Sequence, residues 1–356
     1  MTRRTLVLVA VMTMALASQP ASAGGPNQGS GITAIPIVTG LAYPAAFTIA
    51  PDGRIFYGER LTGNIRVYNP SDGSNKLYAV IPGVQSQGER GLLGLALRIA
   101  AFPIVYAYAT RLVNGTPTNQ ILKVALVPTV IFTSNVPSQQ IHNGGRILFG
   151  PDGDLYAVIG EAGNPSNSQD LSRHGGKILR MTASGAVPPG NPFQGSLVWS
   201  YGHRNSFGFT FDPLTARLWE TENGPECNDE INLINAGANY GWGPHETCSS
   251  PPPPPANTNQ DGPNPVMPLA WFTPTIAPTG DAFCVGCGLP SSEGTLFFGA
   301  FNTNTITRVV LDSNRTGIVS MQAVYTHPNP ILSMERGPDK AIYFSDPSGI
   351  YKLVPG

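Results

Sequence analysis

One pattern recurs six times along the chain: a turn, often Pro-Asp-Gly, followed by a short run of alternating apolar and aromatic residues. The copies are PDGRIFYGE from Pro51, FPIVYAYAT from Phe102, PDGDLYAVIG from Pro151, DPLTARLWET from Asp212, SEGTLFFGA from Ser292 and PDKAIYFSD from Pro338. Their spacing, roughly fifty to eighty residues, suits one propeller blade with loop insertions, and no long amphipathic helix lies between them. The pattern predicts an all-β, six-bladed β-propeller; a β-sandwich fits this length less well.

The chain begins with a basic segment at Arg3 and Arg4, an apolar segment from Leu6 to Ala17 and small residues at Ala21-Ser22-Ala23. This order is typical of a secretory signal peptide, and the apolar segment is too short to span a bilayer comfortably. We expect a signal peptide at 1–23 and one propeller domain at 24–356, secreted or periplasmic. An uncleaved anchor is the alternative.

The composition, 41 Gly and 35 Pro in 356 residues, is unusually rich in turn formers. A formal net charge of −1 provides no basic field for nucleic acid or an anionic membrane, and no second long apolar segment predicts membrane insertion. We expect the first blade within Ile35 to Tyr68. Pro251 to Pro255 and the polar segment up to Pro265 are expected to form a polyproline-like surface loop.

Four cysteines, Cys227, Cys248, Cys284 and Cys287, allow three disulfide pairings in an oxidising compartment. We favour Cys227 with Cys248, which closes the loop around an acidic cluster, and Cys284 with Cys287 as a local link. The Cys-Val-Gly-Cys segment could instead be a redox pair or half a metal site. Neither a second Cys pair at zinc-finger spacing nor a thioredoxin-like pattern accompanies it.

The segment Tyr201 to Gly243 concentrates the polar motifs of the chain. Leu218 to Glu222 has the composition of a strand, which Asn223-Gly224-Pro225 must end. Glu226, Asp229 and Glu230 follow this turn. Hard cations such as Ca²⁺ combine carbonyl and carboxylate ligands, so the segment fits either a cation site or a solvated acidic loop. Arg204-Asn205 fits either a site or an ion pair beside a turn.

His142 precedes a predicted strand and is followed by Asn143-Gly144-Gly145. Histidine accepts a proton near neutral pH, and glycines allow a substrate to approach the backbone closely. An isolated loop histidine is more often structural or merely exposed. His174 is a second candidate base, for which we favour a simple loop role.

Several motifs in the same order closely resemble those of the soluble pyrroloquinoline-quinone (PQQ)-dependent sugar dehydrogenases, the glucose/sorbosone dehydrogenase family. They are GERGLLGLAL, HNGGRILFGPDGDLYAVIGE, QDLSRHGGKILRM, GHRN, the E-x-G-P-x₃-DEIN segment, GANYGW and PTIAP. Together they span nearly the whole chain after the signal peptide.

The resemblance implies PQQ and Ca²⁺ as cofactors. It makes His142 the catalytic base, with Arg204 and Asn205 at the quinone oxygen and adjacent carboxylate, and Thr275 and Glu89 as further cofactor contacts. It implies that the backbone carbonyls of Gly224 and Pro225 hold the catalytic Ca²⁺. A second, structural Ca²⁺ would use Glu230 and the backbone of Tyr240.

The sequence departs from the family pattern at four of its cofactor contacts. Glu89 stands where relatives often have Gln, and its carboxylate would meet an anionic cofactor unless it is protonated or paired with Arg90 or a cation. Asn302 replaces a Lys, and Pro330 and Leu332 replace an Arg-x-Arg pair. Each lost charge-assisted hydrogen bond is worth roughly 1.5 to 3 kcal/mol, which weakens the predicted cofactor binding unless other groups compensate.

The leading hypothesis is an exported enzyme, monomer or homodimer, that oxidises an aldose or similar alcohol to the lactone and passes electrons to an acceptor. The alternative is a cofactor-free, Ca²⁺-stabilised propeller that binds glycan or protein. A third possibility, a metal-dependent lactone hydrolase, would need a carboxylate-rich central metal site, whereas the acidic residues cluster in one loop.

Overall fold

The computed structural model describes residues 30–99, 103–125, 127–249 and 252–356. The predicted signal peptide lies outside these residues. Within these described ranges, one short helix, α1 (Ser166–Gln169), accompanies 24 strands. In chain order the strands are β1 (Ile32–Thr39), β2 (Pro44–Ile49), β3 (Ile55–Glu59), β4 (Asn64–Asn69), β5 (Ser74–Val80), β6 (Leu92–Arg98), β7 (Ile104–Val113), β8 (Thr116–Val124), β9 (Thr129–Pro137), β10 (Ile147–Phe149), β11 (Leu155–Ile159), β12 (Lys177–Met181), β13 (Val198–Tyr201), β14 (Ser206–Phe211), β15 (Leu218–Glu222), β16 (Asp229–Ile234), β17 (Ala270–Phe272), β18 (Pro278–Cys284), β19 (Thr295–Ala300), β20 (Thr305–Leu311), β21 (Ile318–Thr326), β22 (Ser333–Arg336), β23 (Ile342–Asp346) and β24 (Gly349–Pro355).

The strands form six four-stranded antiparallel sheets. Blades 1 to 5 are β2–β5, β6–β9, β10–β13, β14–β17 and β18–β21, and blade 6 is β22–β24 with β1. This arrangement confirms the predicted all-β, six-bladed propeller. No helix among the described residues has the length and apolar character that crossing a membrane requires.

Each of the six sequence repeats supplies the second strand of one blade: β3, β7, β11, β15, β19 and β23. These strands are largely buried because neighbouring sheets cover both of their faces. The Pro-Asp-Gly turns lead into them and place a left-handed residue at the third position, with φ of 86° at Gly53 and 81° at Gly153. In the last copy Lys340 takes that position with φ of 68°.

The ring closes between the two ends of the described chain. β1 pairs antiparallel with β24, from Ile32 opposite Pro355 to Thr39 opposite Gly349. The expected first blade at Ile35 to Tyr68 is therefore wrong in its boundaries. Its beginning belongs to blade 6, and blade 1 continues to Val80.

Apolar side chains between neighbouring blades form the core. Tyr106 and Tyr108 of blade 2, for example, pack with Leu155 and Leu179 of blade 3. The first strands of most neighbouring blades also contact each other around the central axis. Loops entering these first strands consequently converge at one end of the axis, where a propeller can gather side chains from every blade.

Both favoured disulfides are present. The Cα atoms of Cys227 and Cys248 are 5.7 Å apart, and those of Cys284 and Cys287 are 5.1 Å apart. The expected polyproline-like surface loop is exposed at Pro253 and Pro254, but its conformation and the exposure of residues 257–259 were predicted wrongly. Residues 254–258 form turns, and Asn257, Thr258 and Asn259 are buried because they form hydrogen bonds with residues of blade 4 and its loops.

Candidate active site

A cavity of about 470 Å³ lies at one end of the propeller axis. Residues at or just before the first strand of every blade line it: Ala45, Leu93, Gly144, Phe207, Thr279 and Leu332. We call this cavity the axial pocket. Seven of the nine predicted site residues also line it: Glu89, His142, Arg204, Asn205, Gly224, Pro225 and Thr275.

His142 is held in the axial pocket by contacts to two loops. Its backbone N–H donates to Glu89 Oε2 at 2.6 Å, and its carbonyl accepts from Ala162 N at 3.0 Å. Its φ of 55° is left-handed, a conformation that is uncommon outside glycine and requires such support. A Cβ on Gly160 would lie 2.3 Å from the His142 carbonyl oxygen, so glycine is required there.

The His142 imidazole forms a pair with Glu161. Nδ1 contacts Glu161 Oε1, and the Glu161 side chain is 1% exposed. An ionised carboxylate only accepts hydrogen bonds, so Nδ1 carries the proton of a neutral ring and Nε2 is the basic nitrogen. The pair is therefore suited to take a proton from a substrate in the pocket.

Arg204 and Asn205 lie beside this pair. Arg204 Nη1 donates to the carbonyl of Asn223 at 2.9 Å, and its guanidinium carbon is 5.3 Å from the centre of the Trp242 ring. Burial lowers the Arg204 pKa, and Glu161 and Glu222 are the leading carboxylates that oppose this effect. Asn205 Oδ1 accepts from Gly144 N at 3.0 Å. Arg204 consequently presents a partly desolvated cation to the pocket.

The turn Asn223-Gly224-Pro225 ends β15, as predicted, and faces the pocket. No hydrogen bond from a described residue reaches the carbonyl of Gly224 or Pro225. Asp229 fastens the turn, because its oxygens accept from the backbone N–H groups of Gly224 at 2.8 Å, Ile276 at 2.6 Å and Ala277 at 2.7 Å. Two carbonyl oxygens are thus free to bind a hard cation.

The three acidic residues after the turn separate in the structure. Glu226 is exposed, Asp229 lines the axial pocket and Glu230 points into the buried interior of blade 4. The alternation of side chains along β16 explains why Asp229 and Glu230 diverge. The segment is therefore neither a single solvated loop nor a single ligand set.

Glu230 and Tyr240 are the two predicted residues outside the axial pocket. Glu230 pairs in register with Glu222 and accepts from Asn232 Nδ2 at 3.1 Å. Burial, then Glu222, raises the Glu230 pKa well above its usual range. The buried Oδ1 of Asn232 has no hydrogen-bond partner among the described residues. These oxygens fit a hard cation, which would give Asn232 Oδ1 a partner and offset the buried charge of Glu230.

His203 lies between two buried carboxylates of blade 4, Glu220 and Glu222. Its Nδ1 lies 2.9 Å from Glu222 Oε2 and 3.2 Å from Glu220 Oε2, and its ring stacks on Tyr240 at 4.7 Å. Burial lowers the pKa of His203, but the two carboxylates outweigh this and raise it to about 10. An imidazolium at this position neutralises part of the buried negative charge.

The positions that depart from the family pattern differ in their placement. Asn302 and Leu332 line the axial pocket with Thr275, whereas Pro330 is absent from its lining. Asn302 Nδ2 lies 3.4 Å from the Thr275 carbonyl. Arg90 does not pair with Glu89, because its guanidinium donates to the carbonyls of Ser138 and Gln139.

Two arginines that the sequence did not single out as site residues add positive charge to the pocket. Arg60 lies 4.7 Å from the centre of the Tyr43 ring and donates to the Gly88 carbonyl at 2.7 Å. Arg146 forms the floor and donates to Phe207 of blade 4, Ala45 of blade 1 and the Leu332 carbonyl of blade 6. Burial lowers the pKa of Arg146 to about 10.

Beneath Arg146 a second cavity of about 230 Å³ continues along the axis. We call it the axial channel. Asp281 and Glu335 line it, and both oxygens of Asp281 lack hydrogen-bond partners among the described residues. Burial raises the pKa of Asp281 well above its usual range and that of Glu335 to about 8. The sequence analysis placed the acidic residues in one loop and did not predict Asp281 and Glu335 at the axis.

A family model described as glucose/sorbosone dehydrogenase matches residues 41–351. The chain belongs to the glucose/sorbosone dehydrogenase family. This confirms the resemblance carried by the sequence motifs and makes the protein an oxidoreductase of a sugar dehydrogenase family.

Relatives of this dehydrogenase include aldose sugar dehydrogenase YliI of Escherichia coli, 28% identical over 324 residues that cover 85% of this chain and 86% of the relative. Quinoprotein glucose dehydrogenase B of Acinetobacter calcoaceticus is 32% identical over 249 residues, 58% of this chain and 51% of the relative. The PQQ-bound form of aldose sugar dehydrogenase from Streptomyces coelicolor has 30% identity and a TM-score of 0.77, covering 92% of this chain and 99% of that one.

Sequence reasoning missed Glu161 as a partner of His142 in this dehydrogenase. Glu161 ends the quoted motif HNGGRILFGPDGDLYAVIGE, 19 positions after His142, and β10 and β11 lie between them. A hairpin brings its two ends together, so this spacing was the available signal. His174 has only a loop role in the structure: Nδ1 accepts from Asn135 N at 3.0 Å, away from the axial pocket.

Proposed function

We propose that this family member is an exported, PQQ- and Ca²⁺-dependent dehydrogenase that oxidises an aldose, or a similar alcohol, to its lactone. The supporting observation is the convergence in one cavity of the His142–Glu161 pair, the Arg204 guanidinium and the free carbonyls of Gly224 and Pro225. A PQQ-bound relative with the same fold supports the choice of cofactor.

Export and a single domain at 24–356 are part of the proposal. The signal-peptide pattern at 1–23 and the two disulfides support export, because disulfides persist in oxidising compartments. The closed ring formed by the described residues supports one domain.

The charges of the axial pocket fit an anionic cofactor. Arg60, Arg146 and Arg204 line it, against the carboxylates of Glu89 and Asp229. Asp229 is already engaged by three backbone N–H groups, which offset its charge. Phe207 and Phe301 provide apolar surface for a flat ring system. We assign the cofactor contacts to Arg204, Asn205, Thr275 and Glu89, and the catalytic Ca²⁺ to the carbonyls of Gly224 and Pro225.

The chain's own residues handle the substrate proton. Nε2 of His142 accepts the hydroxyl proton, while Glu161 holds the ring in the required tautomer and stabilises the imidazolium. Arg204 opposes negative charge that develops in the pocket. When bound, PQQ would supply the hydride acceptor and Ca²⁺ would supply a Lewis acid.

Reconstitution tests the proposal. The purified protein, freed of cofactor and metal, is assayed with an aldose and an artificial electron-accepting dye. We expect turnover only when PQQ and Ca²⁺ are both supplied. Turnover supported by NAD⁺ or flavin without PQQ would contradict the assignment.

A structural Ca²⁺ at Glu230 and the Tyr240 backbone is a separate part of the proposal. Chelation should lower the melting temperature of the wild type more than that of Glu230→Ala, because only a protein that binds the cation loses its stabilisation by mass action. Equal sensitivity of the two proteins to chelator would argue against this site. Restoring Ca²⁺ to the wild type should recover the original melting temperature.

A cofactor-free propeller that binds glycan or protein is the second candidate. It is favoured by Asn302 and Leu332, which leave the pocket with fewer cationic contacts than the family pattern, and by Glu89, which adds a carboxylate. Adding PQQ and Ca²⁺ and recording the visible absorbance separates the two. A spectral change that saturates with PQQ supports the dehydrogenase, and an unaltered PQQ spectrum supports the second candidate.

A further inference from the structure

Arg60 is held in the wall of the axial pocket by one side of its guanidinium. It directly follows β3 of blade 1 and lines the pocket beside Tyr43. Nη1 donates to the carbonyls of Gly88 at 2.7 Å and Arg90 at 3.0 Å, and the guanidinium carbon lies 4.7 Å from the centre of the Tyr43 ring. These contacts fix the plane of the guanidinium but use only one of its three nitrogens.

The other two nitrogens of Arg60, Nε and Nη2, donate to no described residue. Nε is also buried. In a guanidinium the N–H of Nε and one N–H of Nη2 lie parallel along one edge, with a spacing that matches the two oxygens of a carboxylate. A buried donor without an acceptor is costly, so this edge lacks a partner that a ligand can supply.

The carboxylates nearest to Arg60 in the chain and in the pocket are engaged elsewhere. Glu59 lies 3.8 Å from Arg66, and Glu89 directs Oε2 to the backbone N–H of His142. Within the ranges that the structure describes, no ion pair involves Arg60. Its positive charge is therefore available to a ligand.

Arg146 differs from Arg60 in this respect. All three of its guanidinium nitrogens donate to backbone carbonyls: Nε to Phe207, Nη1 to Ala45 and Nη2 to Leu332. Arg146 thus holds the floor of the pocket together, whereas Arg60 has donors that the fold does not use.

Arg60 also lies on the side of the pocket where the sequence departs from the family pattern. Leu332, at one position of the missing Arg-x-Arg pair, enters blade 6 and lines the pocket. Blade 1 adjoins blade 6: the Tyr43 N–H donates to the carbonyl of Pro347 in the β23–β24 turn at 3.1 Å, and the Arg60 N–H donates to the Tyr43 carbonyl at 3.1 Å. Arg60 consequently supplies a cation next to the blade that has lost one.

We propose that Arg60 binds a carboxylate of the cofactor through the edge formed by Nε and Nη2, and so compensates for cationic contacts missing at Asn302 and Leu332. This assignment rests on the proposed PQQ-dependent function. Arg204 enters blade 4, which lies opposite blade 1 in the ring of six. An anionic cofactor would then be held by arginines from opposite sides of the pocket.

Titration of the cofactor-free protein with PQQ in saturating Ca²⁺ measures the affinity by absorbance, without relying on turnover. We expect Arg60→Gln to weaken PQQ binding by about tenfold or more, the loss of one charge-assisted hydrogen bond. Arg60→Lys should fall between this variant and the wild type, because an ammonium keeps the charge but cannot offer two parallel donors.

Arg54→Gln is the matched control. Arg54 belongs to the same blade but lies outside the axial pocket, in a turn where it pairs with Asp52. It removes the same charge and should leave PQQ affinity near that of the wild type. Added NaCl should weaken PQQ binding more in the wild type than in Arg60→Gln, because salt screens an attraction that the variant lacks.

A purely structural task, holding the Gly88 and Arg90 carbonyls, makes different predictions. It would weaken PQQ binding equally in Arg60→Gln and Arg60→Lys and leave the salt dependence of Arg60→Gln like that of the wild type. Either result, or wild-type affinity in Arg60→Gln, would overturn the assignment of Arg60 and leave the proposed function intact. A wild type that does not bind PQQ would overturn both.

Discussion

Glu89 is the pocket residue whose charge opposes the proposed cofactor, yet its carboxylate has a structural task. Oε2 accepts the backbone N–H of His142, the residue with the left-handed backbone. An amide oxygen could accept the same hydrogen bond without the negative charge. The carboxylate is thus needed for its oxygen and not for its charge.

We therefore expect Glu89→Gln to strengthen PQQ binding by at least about fivefold. Even a screened contact between like charges costs on the order of 1 kcal/mol. Titration of each protein with PQQ in Ca²⁺ measures the affinity. The exposed Glu226→Gln removes the same charge outside the pocket and should leave the affinity near that of the wild type. Unchanged or weaker binding by Glu89→Gln would count against an anionic ligand next to Glu89.

At the residue scale, motifs predicted His142, Arg204 and the Gly224-Pro225 turn because each stands in a recognisable local pattern. Arg146 and Glu335 have no such pattern. Arg146 matters because it donates to carbonyls of three other blades, and Glu335 because it lies beneath Arg146. These placements depend on closure of the ring, which local sequence does not encode.

At the element scale, the recurring turn-and-strand pattern, which is Pro-Asp-Gly in two of its six copies, located the second strand of each blade correctly. In the two Pro-Asp-Gly copies the aspartate side chain stabilises the turn before the strand. Asp52 and Asp152 each accept the backbone N–H two residues later, and a left-handed glycine follows each aspartate. The polyproline-like conformation predicted for the proline-rich segment was wrong, because composition cannot show that Asn257 and Thr258 accept hydrogen bonds from Asn228.

Lys340 occupies the left-handed position that glycine fills in two other turns. Lys340→Gly should raise the free energy of unfolding by about 0.5 kcal/mol, because relief of about 1 to 2 kcal/mol of strain exceeds the added unfolded-chain entropy of about 0.4 to 1 kcal/mol. Gly153→Lys should lower the free energy of unfolding by about 0.5 kcal/mol for the reverse reason. Urea unfolding measures both. A lower free energy of unfolding in Lys340→Gly, together with an unchanged one in Gly153→Lys, would refute this account of the turn.

On the scale of the whole molecule, closure of the ring creates both the axial pocket and the channel beneath it. β1 pairs with β24, and Arg146 connects carbonyls across the axis where the two cavities meet. The same closure buries Asp281 and half-buries Glu335 near Arg146, and it raises the pKa of both carboxyls.

Glu335 should make stability depend on pH. Burial raises its pKa to about 8 in the folded protein, against an ordinary value of 4.5, with Arg146 opposing the shift. Between these values the folded state holds a proton that the unfolded chain releases, so the free energy of unfolding falls as pH rises. Asp281 acts in the same direction.

Glu335→Gln removes the Glu335 contribution. Its melting temperature should exceed that of the wild type at pH 9, and the difference should shrink towards pH 5. One pKa unit corresponds to about 1.4 kcal/mol, the least we expect at pH 9. Glu293→Gln, on the exposed surface, should show no such trend. A constant difference across the pH range would contradict the buried, protonated carboxyl.

Single-turnover kinetics at saturating PQQ test the central claim, that the axial pocket oxidises a sugar with His142 as base. In His142→Ala the rate of substrate oxidation should fall by about 10² to 10⁴-fold while PQQ affinity changes little, because a positioned base acts only on the chemical step. In Arg204→Ala the rate of substrate oxidation and the PQQ affinity should both fall, with PQQ binding weakened by roughly 1.5 to 3 kcal/mol. Wild-type oxidation by His142→Ala would remove His142 from the mechanism, and failure of the wild type itself to bind PQQ would contradict the whole account.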